Sequence, residues 1–343
     1  MLLKKLVPAA AAVMLAGAIF SGCAEKPMTE VGNYGDIGNY LNKDESWYGT
    51  DEALEIANAI VGYQLSDGGW RKAWDDPTVT GSWAKSTVDN DGTTSEIYIL
   101  ARVYNAAGGN KYKKACLKGI DLLLKGQYEN GGWPQVFDDP GTYHAHITYN
   151  DYAMVHILTL LKSVADKSGD FGFIDPARAE KAAKAVENGV KCILDTQIEV
   201  NGVKTAWCQQ YDETTLKPAE GRAYELVSIS AAESVGIIDF LKSLPERTDE
   251  IKESVSSAIS WLDSVKLSGI KFVAQGDDKV VIEDETAEPI WARFYEIGTN
   301  KPIFVDRDGI LRYDVSEISK ERRTGYAWYG SWAKKLIAAG PIE

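Results

Sequence analysis

The sequence predicts an all-α protein, an (α/α) toroid or barrel carrying a few short β-strands. Three observations point there. Amphipathic helical patterns fill most of the chain and alternate in two classes. One class ends, at a period of roughly sixty to seventy residues, in a Gly-containing turn followed by an aromatic. Strand signals are confined to short pieces at 271–274, 280–282 and 303–305.

The N-terminus reads as an address. Lys4 and Lys5 precede an apolar run from Leu6 to Phe20, which is too short and too poorly flanked to span a bilayer. Ser21, Gly22 and Cys23 follow and resemble a bacterial lipobox. Residues 1–22 are therefore expected to be a lipoprotein signal peptide and Cys23 the lipidated residue; ordinary secretory cleavage nearby is the alternative. Either way the protein is exported. With the lipid it sits on the bacterial cell envelope, at the outer membrane or cell surface, with no other membrane attachment. Residues 23–46, rich in Gly, Asn and charge, read as a tether and lead-in, and 47–343 as one toroid domain.

Within that domain the helical stretch 51–64 runs into Ser66-Asp67-Gly68-Gly69-Trp70. A second, 111–127, runs into Glu129-Asn130-Gly131-Gly132-Trp133, and a third, 176–197, leads through Asn201 and Gly202 to Trp207. A fourth, 250–265, leads to Ser268-Gly269-Ile270-Lys271. Between them lie the second class of helices, expected over 93–108, 151–165 and 223–244. Paired helices at this period suggest a ring whose loops on one face line a groove suited to a polymer.

Composition narrows the function. The chain is 343 residues long, 45% apolar and 25% charged, so it can bury a large core. Its net charge is −13, which becomes −15 once the two leader lysines are removed. Such a surface excludes a nucleic-acid binder. It leaves room for an acidic sugar polymer, provided clustered arginines or a bound cation overcome the repulsion. Ten Trp and seventeen Tyr exceed what packing alone demands and include candidates for stacking on sugar rings. Cys116, Cys192 and Cys208 form no disulfide framework and no zinc motif, and read as buried free thiols.

Four clusters carry candidate chemistry. Asp89, Asn90 and Asp91 crowd oxygen ligands beside a helix start, a density that suits calcium, although Asp91 or Thr93 could equally cap the helix. His144 and His146 stand two apart, each suited to a hydrogen bond, with Asp151 at the next helix start as cap or calcium ligand. Arg222 is expected to open a helix, where a cation opposes the helix dipole and invites a functional reading; an ion pair with Glu220 or Glu225 is the structural alternative. The segment 289–330 gathers Arg293, Arg307, Arg312, Arg322 and Arg323 with Tyr295, Tyr313, Tyr326, Trp328 and Tyr329. Guanidinium forks suit carboxylates and aromatic faces suit sugars.

The strings TVDNDGTTSE (87–96), NGGWPQ (130–135), TYHAHITYNDYAM (142–154), GRAYELVSIS (221–230), PIWARFYEIGTNKPIFVDRDG (289–309) and EISKERRTGYAWYG (317–330) together resemble the family 10 polysaccharide lyases, the α/α-toroid pectate lyases, from about Trp47 to the end. One departure is Val227, where the family usually has Pro.

The resemblance implies a pectate lyase that cleaves α-1,4-polygalacturonate by Ca²⁺-dependent β-elimination, giving unsaturated oligogalacturonates. By motif position it implies Arg222 as catalytic base and Asp89, Asn90 and Asp151 as the cluster for calcium and substrate. Arg307 matches a substrate-binding arginine, and Arg293 and Tyr326 are further expected sugar contacts. A non-catalytic pectin-binding lipoprotein and an inverting glycoside hydrolase using Glu96 and Asp151 remain rival readings.

Overall fold

The computed structural model describes residues 34–340; the leader and Cys23 lie outside the described residues. Seven long helices follow the predicted patterns. They are α1 (Asp51–Tyr63), α2 (Thr94–Ala107), α3 (Asn110–Lys125), α4 (Ala153–Asp166), α5 (Pro176–Asp195), α6 (Ala231–Ser243) and α7 (Asp249–Ser264).

Helix starts are chemically marked. Thr50, Asp175 and Thr248 accept bonds from backbone N–H groups in the first turns of α1, α5 and α7, and Pro176 occupies the first turn of α5. Burial separates two classes. Helix α5 buries five of its 20 residues, whereas α6 buries eight of 13, which marks α5 as outer and α6 as inner. Each inner helix α2, α4 and α6 packs on the outer helix that follows it. Outer helices α1, α3, α5 and α7 also touch in succession, as do α2, α4 and α6. The result is an α/α toroid, and after α7 the segment 289–330 adds short strands, a 3₁₀ turn (Val315–Glu317) and a short helix (Lys320–Gly325). There Phe294–Tyr295 pairs antiparallel with Ile229–Ser230, just ahead of α6. No described helix is long and apolar enough to cross a membrane.

The repeated turn is a structural joint. Trp70, Trp133 and Trp207 are fully buried, and each indole Nε1 donates to a carbonyl near the end of the outer helix before it: Ile60 (2.7 Å), Leu123 (2.7 Å) and Ile193 (2.8 Å). In the fourth repeat a hairpin, Ile270–Gln275 with Asp278–Glu283, is inserted after Gly269, and Trp291 takes the same place with Nε1 on Leu262 O (2.8 Å). A glutamine at the end of each of the first three outer helices spans to the next. Gln64 donates to Gly68 and Ala115 carbonyls, Gln127 to Gly131 and Ala185, and Gln197 to Thr205 and Ser254. In the first two turns the glycines are there because nothing larger fits. Gly131 has φ +93°, and a Cβ on it would lie 2.1 Å from Asn188 O.

Three expectations need correction. The helix foreseen over 223–244 begins only at Ala231, because 221–225 close a turn (Glu225 N–H to Arg222 O, 2.6 Å) and Ile229–Ser230 joins a strand pair. Arg222 therefore opens no helix, and its position has nothing to do with a helix dipole. The stretch expected as lead-in is already structured from Tyr34, where two 3₁₀ turns, Ile37–Tyr40 and Glu45–Gly49, pack near α2 with Arg102 Nη1 donating to Leu41 O (2.6 Å). The cap expected from Asp91 or Thr93 is absent: Thr93 Oγ1 instead accepts the Trp70 N–H (3.2 Å). Cys116, Cys192 and Cys208 are buried free thiols as expected.

Candidate active site

Two turns in uncommon backbone conformations present the acids. Ahead of α2, Asn90 has φ 48° and Asp91 φ 62°; ahead of α4, Asp151 has φ 47° and Tyr152 φ 65°. Asn and Asp tolerate this left-handed region better than most residues, and such strain concentrates where a side chain must be aimed. The two turns, Asp89–Asp91 and Asn150–Tyr152, pack against one another. Asp89, Asn90, Asn150 and Asp151 consequently line one cleft. Arg222, Glu225, Gln210, Gln135, Tyr143, Lys72 and Trp83 complete it.

Each acid has a counter-ion. The Asp89 carboxylate is buried, accepts Gln135 Nε2 (2.8 Å) on Oδ1 and meets the Lys72 ammonium on Oδ2. Lys72 lies 4.7 Å over the Trp83 ring. Asp151 Oδ1 accepts Arg293 Nη2 (3.0 Å) and Oδ2 accepts Asn150 Nδ2 (3.1 Å). Arg293 is 8% exposed, is ion-paired to the buried Glu233 as well, and lies 4.9 Å over Tyr326. Burial alone would lower the Arg293 pKa, but Glu233, Tyr326 and Asp151 together outweigh it and hold the guanidinium well above its ordinary value.

Arg222 is gripped by Glu225. Nε donates to Oε2 (2.8 Å), Nη2 to Oε1, and the Arg222 backbone N–H also reaches Oε2 (3.0 Å). The guanidinium lies 4.9 Å from the Tyr224 ring, and the Tyr326 hydroxyl donates to Glu225 Oε1 (2.8 Å). Burial would lower the Arg222 pKa; the Glu225 ion pair outweighs it, and the group stays firmly protonated.

The structure thus brings together Asp89, Asn90, Asp151 and Arg222 in one cleft. It places the other three expected residues elsewhere. Arg293 and Tyr326 are outside the cleft lining: Arg293 is bonded to Asp151 and Glu233, and Tyr326 to Glu225, so each holds an acid of the lining, Asp151 and Glu225. Arg307 lies outside the cleft lining, largely exposed, paired with Glu321 and 5.8 Å from the Tyr224 ring. His144 and His146 diverge, His144 to Asp139 (3.0 Å) and His146 to Glu213 (3.2 Å). Glu96 is fully buried, and burial outweighs the nearby backbone N–H groups of Glu96 and Thr93 and pushes its pKa up to about 8. It has no access to the cleft and cannot oppose Asp151 across a glycosidic bond.

Lys72, Trp83 and Gln135 escape a reading by local motif, yet the repeat carries a signal for two of them. The residue two beyond each buried Trp reaches the acids: Lys72 after Trp70, Gln135 after Trp133, Gln209 after Trp207 and Arg293 after Trp291. Gln209 Nε2 lies 2.5 Å from Asn150 Oδ1 and 3.4 Å from Glu233 Oε1.

The cleft offers a hard cation oxygen ligands. Besides the carboxylates and Asn90, the buried Oε1 atoms of Gln135 and Gln210 have no hydrogen-bond partner and are competent donors. The residues therefore fit calcium. Separately, ligand atoms of His146, Asp212 and Glu213 lie within 4.8 Å of one another, away from these acids, although Asp212 Oδ1 already accepts Thr214 and Thr215 backbone N–H groups.

Residues 64–337 match the pectic acid lyase family model. Among solved structures the chain is similar to the family 10 polysaccharide lyase from Cellvibrio cellulosa, with a TM-score of 0.78 and 33% identity, covering 88% of this chain and 93% of that one. A mutant of the Cellvibrio cellulosa enzyme in complex with trigalacturonic acid matches with the same TM-score and identity, covering 95% of that chain. No curated protein matches.

Proposed function

The chain belongs to the pectic acid lyase family and is a polysaccharide lyase, and from that premise we propose that it cleaves α-1,4-polygalacturonate by Ca²⁺-dependent β-elimination. The observation that carries this reading is the convergence of Asp89, Asn90, Asp151 and Arg222, distant in sequence, on one cleft.

In β-elimination the C5–H bond of a uronate breaks, its electrons form the C4–C5 double bond, and the C4–O bond to the leaving sugar breaks. The departing oxygen then takes a proton from water. Asp89, Asn90 and Asp151, with the amide oxygens of Gln135 and Gln210, would hold calcium. Bound there, the ion would neutralise the substrate carboxylate and so make the C5 proton more acidic. The protein's own work is orientation and charge. Arg222 stands where a guanidinium can meet the uronate and stabilise the enolate-like charge that develops. As the base at C5 it must first shed a proton, and Glu225 opposes this. We place the proton transfer at Arg222 on the condition that its pair with Glu225 loosens when the uronate enters, so cleavage should accelerate toward alkaline pH. Arg293 and Glu233 keep Asp151 in place. Arg307, outside the cleft, suits the carboxylate of a more distant uronate.

The test is incubation with polygalacturonate, with and without a chelator. The expected result is product absorbing in the ultraviolet from the new double bond, lost on chelation and restored by Ca²⁺. New reducing ends without that absorbance would establish a hydrolase, and binding without product a glycan-binding protein. The reading extends to location: export through residues 1–22 and lipidation at Cys23 would hold the enzyme on the cell envelope.

A further inference from the structure

The two cleft aspartates differ in how firmly their counter-ions are held. Arg293 is buried and also paired with the buried Glu233, so a second carboxylate holds its guanidinium in place beside Asp151. Lys72 is different. Its side chain is 36% exposed, its one ion pair among the described residues is to Asp89, and the Trp83 indole lies beside its ammonium. Asp89 itself is 4% exposed, so its charge needs a partner at all times. A divalent cation on Asp89 Oδ2 would sit within a few ångströms of the ammonium now touching that atom, and the two positive charges repel. One of them must leave, and only Lys72 has both a route to solvent and an aromatic face to rest on.

We propose that Lys72 is a displaceable counter-ion. It neutralises Asp89 while no divalent cation is bound and yields the carboxylate when one arrives. It then offers its ammonium, beside Trp83, to a uronate carboxylate in the cleft. The inference rests on the calcium reading of the cleft and deepens it: calcium and a polyuronate bind cooperatively, because the first frees the cation that grips the second.

The experiment is calorimetric titration of the folded enzyme with Ca²⁺ alone, without substrate, for wild type, Lys72→Met, Asp89→Asn and Lys204→Met. Lys204 pairs with Glu253 away from the cleft and controls for the loss of one charge. Lys72→Met should bind Ca²⁺ on the order of two- to fivefold more tightly, the range one part-exposed ion pair supplies. Lys204→Met should match wild type. At saturating Ca²⁺ the KM of Lys72→Met for polygalacturonate should rise several-fold, with kcat little changed. Unchanged or weaker Ca²⁺ binding by Lys72→Met, or an equal gain in Lys204→Met, overturns the proposal. If wild type binds no Ca²⁺, or Asp89→Asn binds it equally well, the calcium site itself is elsewhere and the proposal falls with it; that outcome is distinct, because Asp89→Asn reports the site and Lys72→Met its occupant.

Discussion

In each repeat, two positions two residues apart have opposite fates. Trp70, Trp133, Trp207 and Trp291 are buried and bonded to an outer helix, while Lys72, Gln135, Gln209 and Arg293 reach the acids. The tryptophans bear the same side chain four times over because they meet the same demand, an indole donor on a carbonyl that a helix end leaves open. The residues two further on are Lys, Gln, Gln and Arg, each a donor to an acid at the centre of the ring: Lys72 and Gln135 to Asp89, Gln209 and Arg293 to Glu233. One turn thus serves as joint and as pointer, and the division predicts which changes should cost stability and which activity.

The largest effect belongs to the cleft. Arg222→Ala would strand the buried Glu225 carboxylate and confuse folding with function. Arg222→Lys keeps the charge beside Glu225 while removing the planar fork. Its kcat should drop by about 10³-fold, which is ~4 kcal/mol of transition-state stabilisation, while its melting temperature stays within a few degrees of wild type. Near-normal turnover would remove Arg222 from the mechanism.

The joint should show the reverse. Gly131→Ala adds a methyl group 2.1 Å from Asn188 O at a φ of +93°. Strain and overpacking together should cost roughly 3 kcal/mol of unfolding free energy, read by denaturant titration. The protein that remains folded should keep its kcat. A stable but inactive variant would break the division between joint and pointer.

These contrasts also explain what could be read in the sequence. The outer helices and the turns after them were legible because amphipathic period and Gly-Gly-Trp spacing are local, and a local signal survives without coordinates. The fourth Trp was not, since a hairpin displaces it from the expected place near Lys271 to Trp291. Asp89, Asn90, Asp151 and Arg222 were named through the resemblance, and the cleft gathers them. The ion pair of Arg293 with Glu233 was not legible, because Glu233 lies 60 residues away in the chain and looks like an ordinary helix acid. The start of α6 was misplaced because the residues from Ala223 on have helical composition, while their backbone bonds go to a turn and to Phe294–Tyr295, a long-range pairing that overrides propensity.

Glu96 offers the finest test, since it lies in the first turn of an inner helix yet belongs to neither joint nor cleft. Burial raises its pKa to about 8, far above an unfolded glutamate, so the folded state binds one more proton between those values. Unfolding free energy then falls as pH rises, by at most ~1.4 kcal/mol per pH unit, and levels off above the folded pKa. Glu96→Gln keeps the shape of the protonated acid and removes its titration. The variant and wild type should have similar stability near pH 4. Between pH 6 and pH 7.5 the variant should gain about 2 kcal/mol relative to wild type by denaturant unfolding. Parallel curves across that range would mean that Glu96 is charged in the folded protein and has a partner. An inner helix would then hold a second buried ionic site, and chemistry would no longer be confined to the cleft.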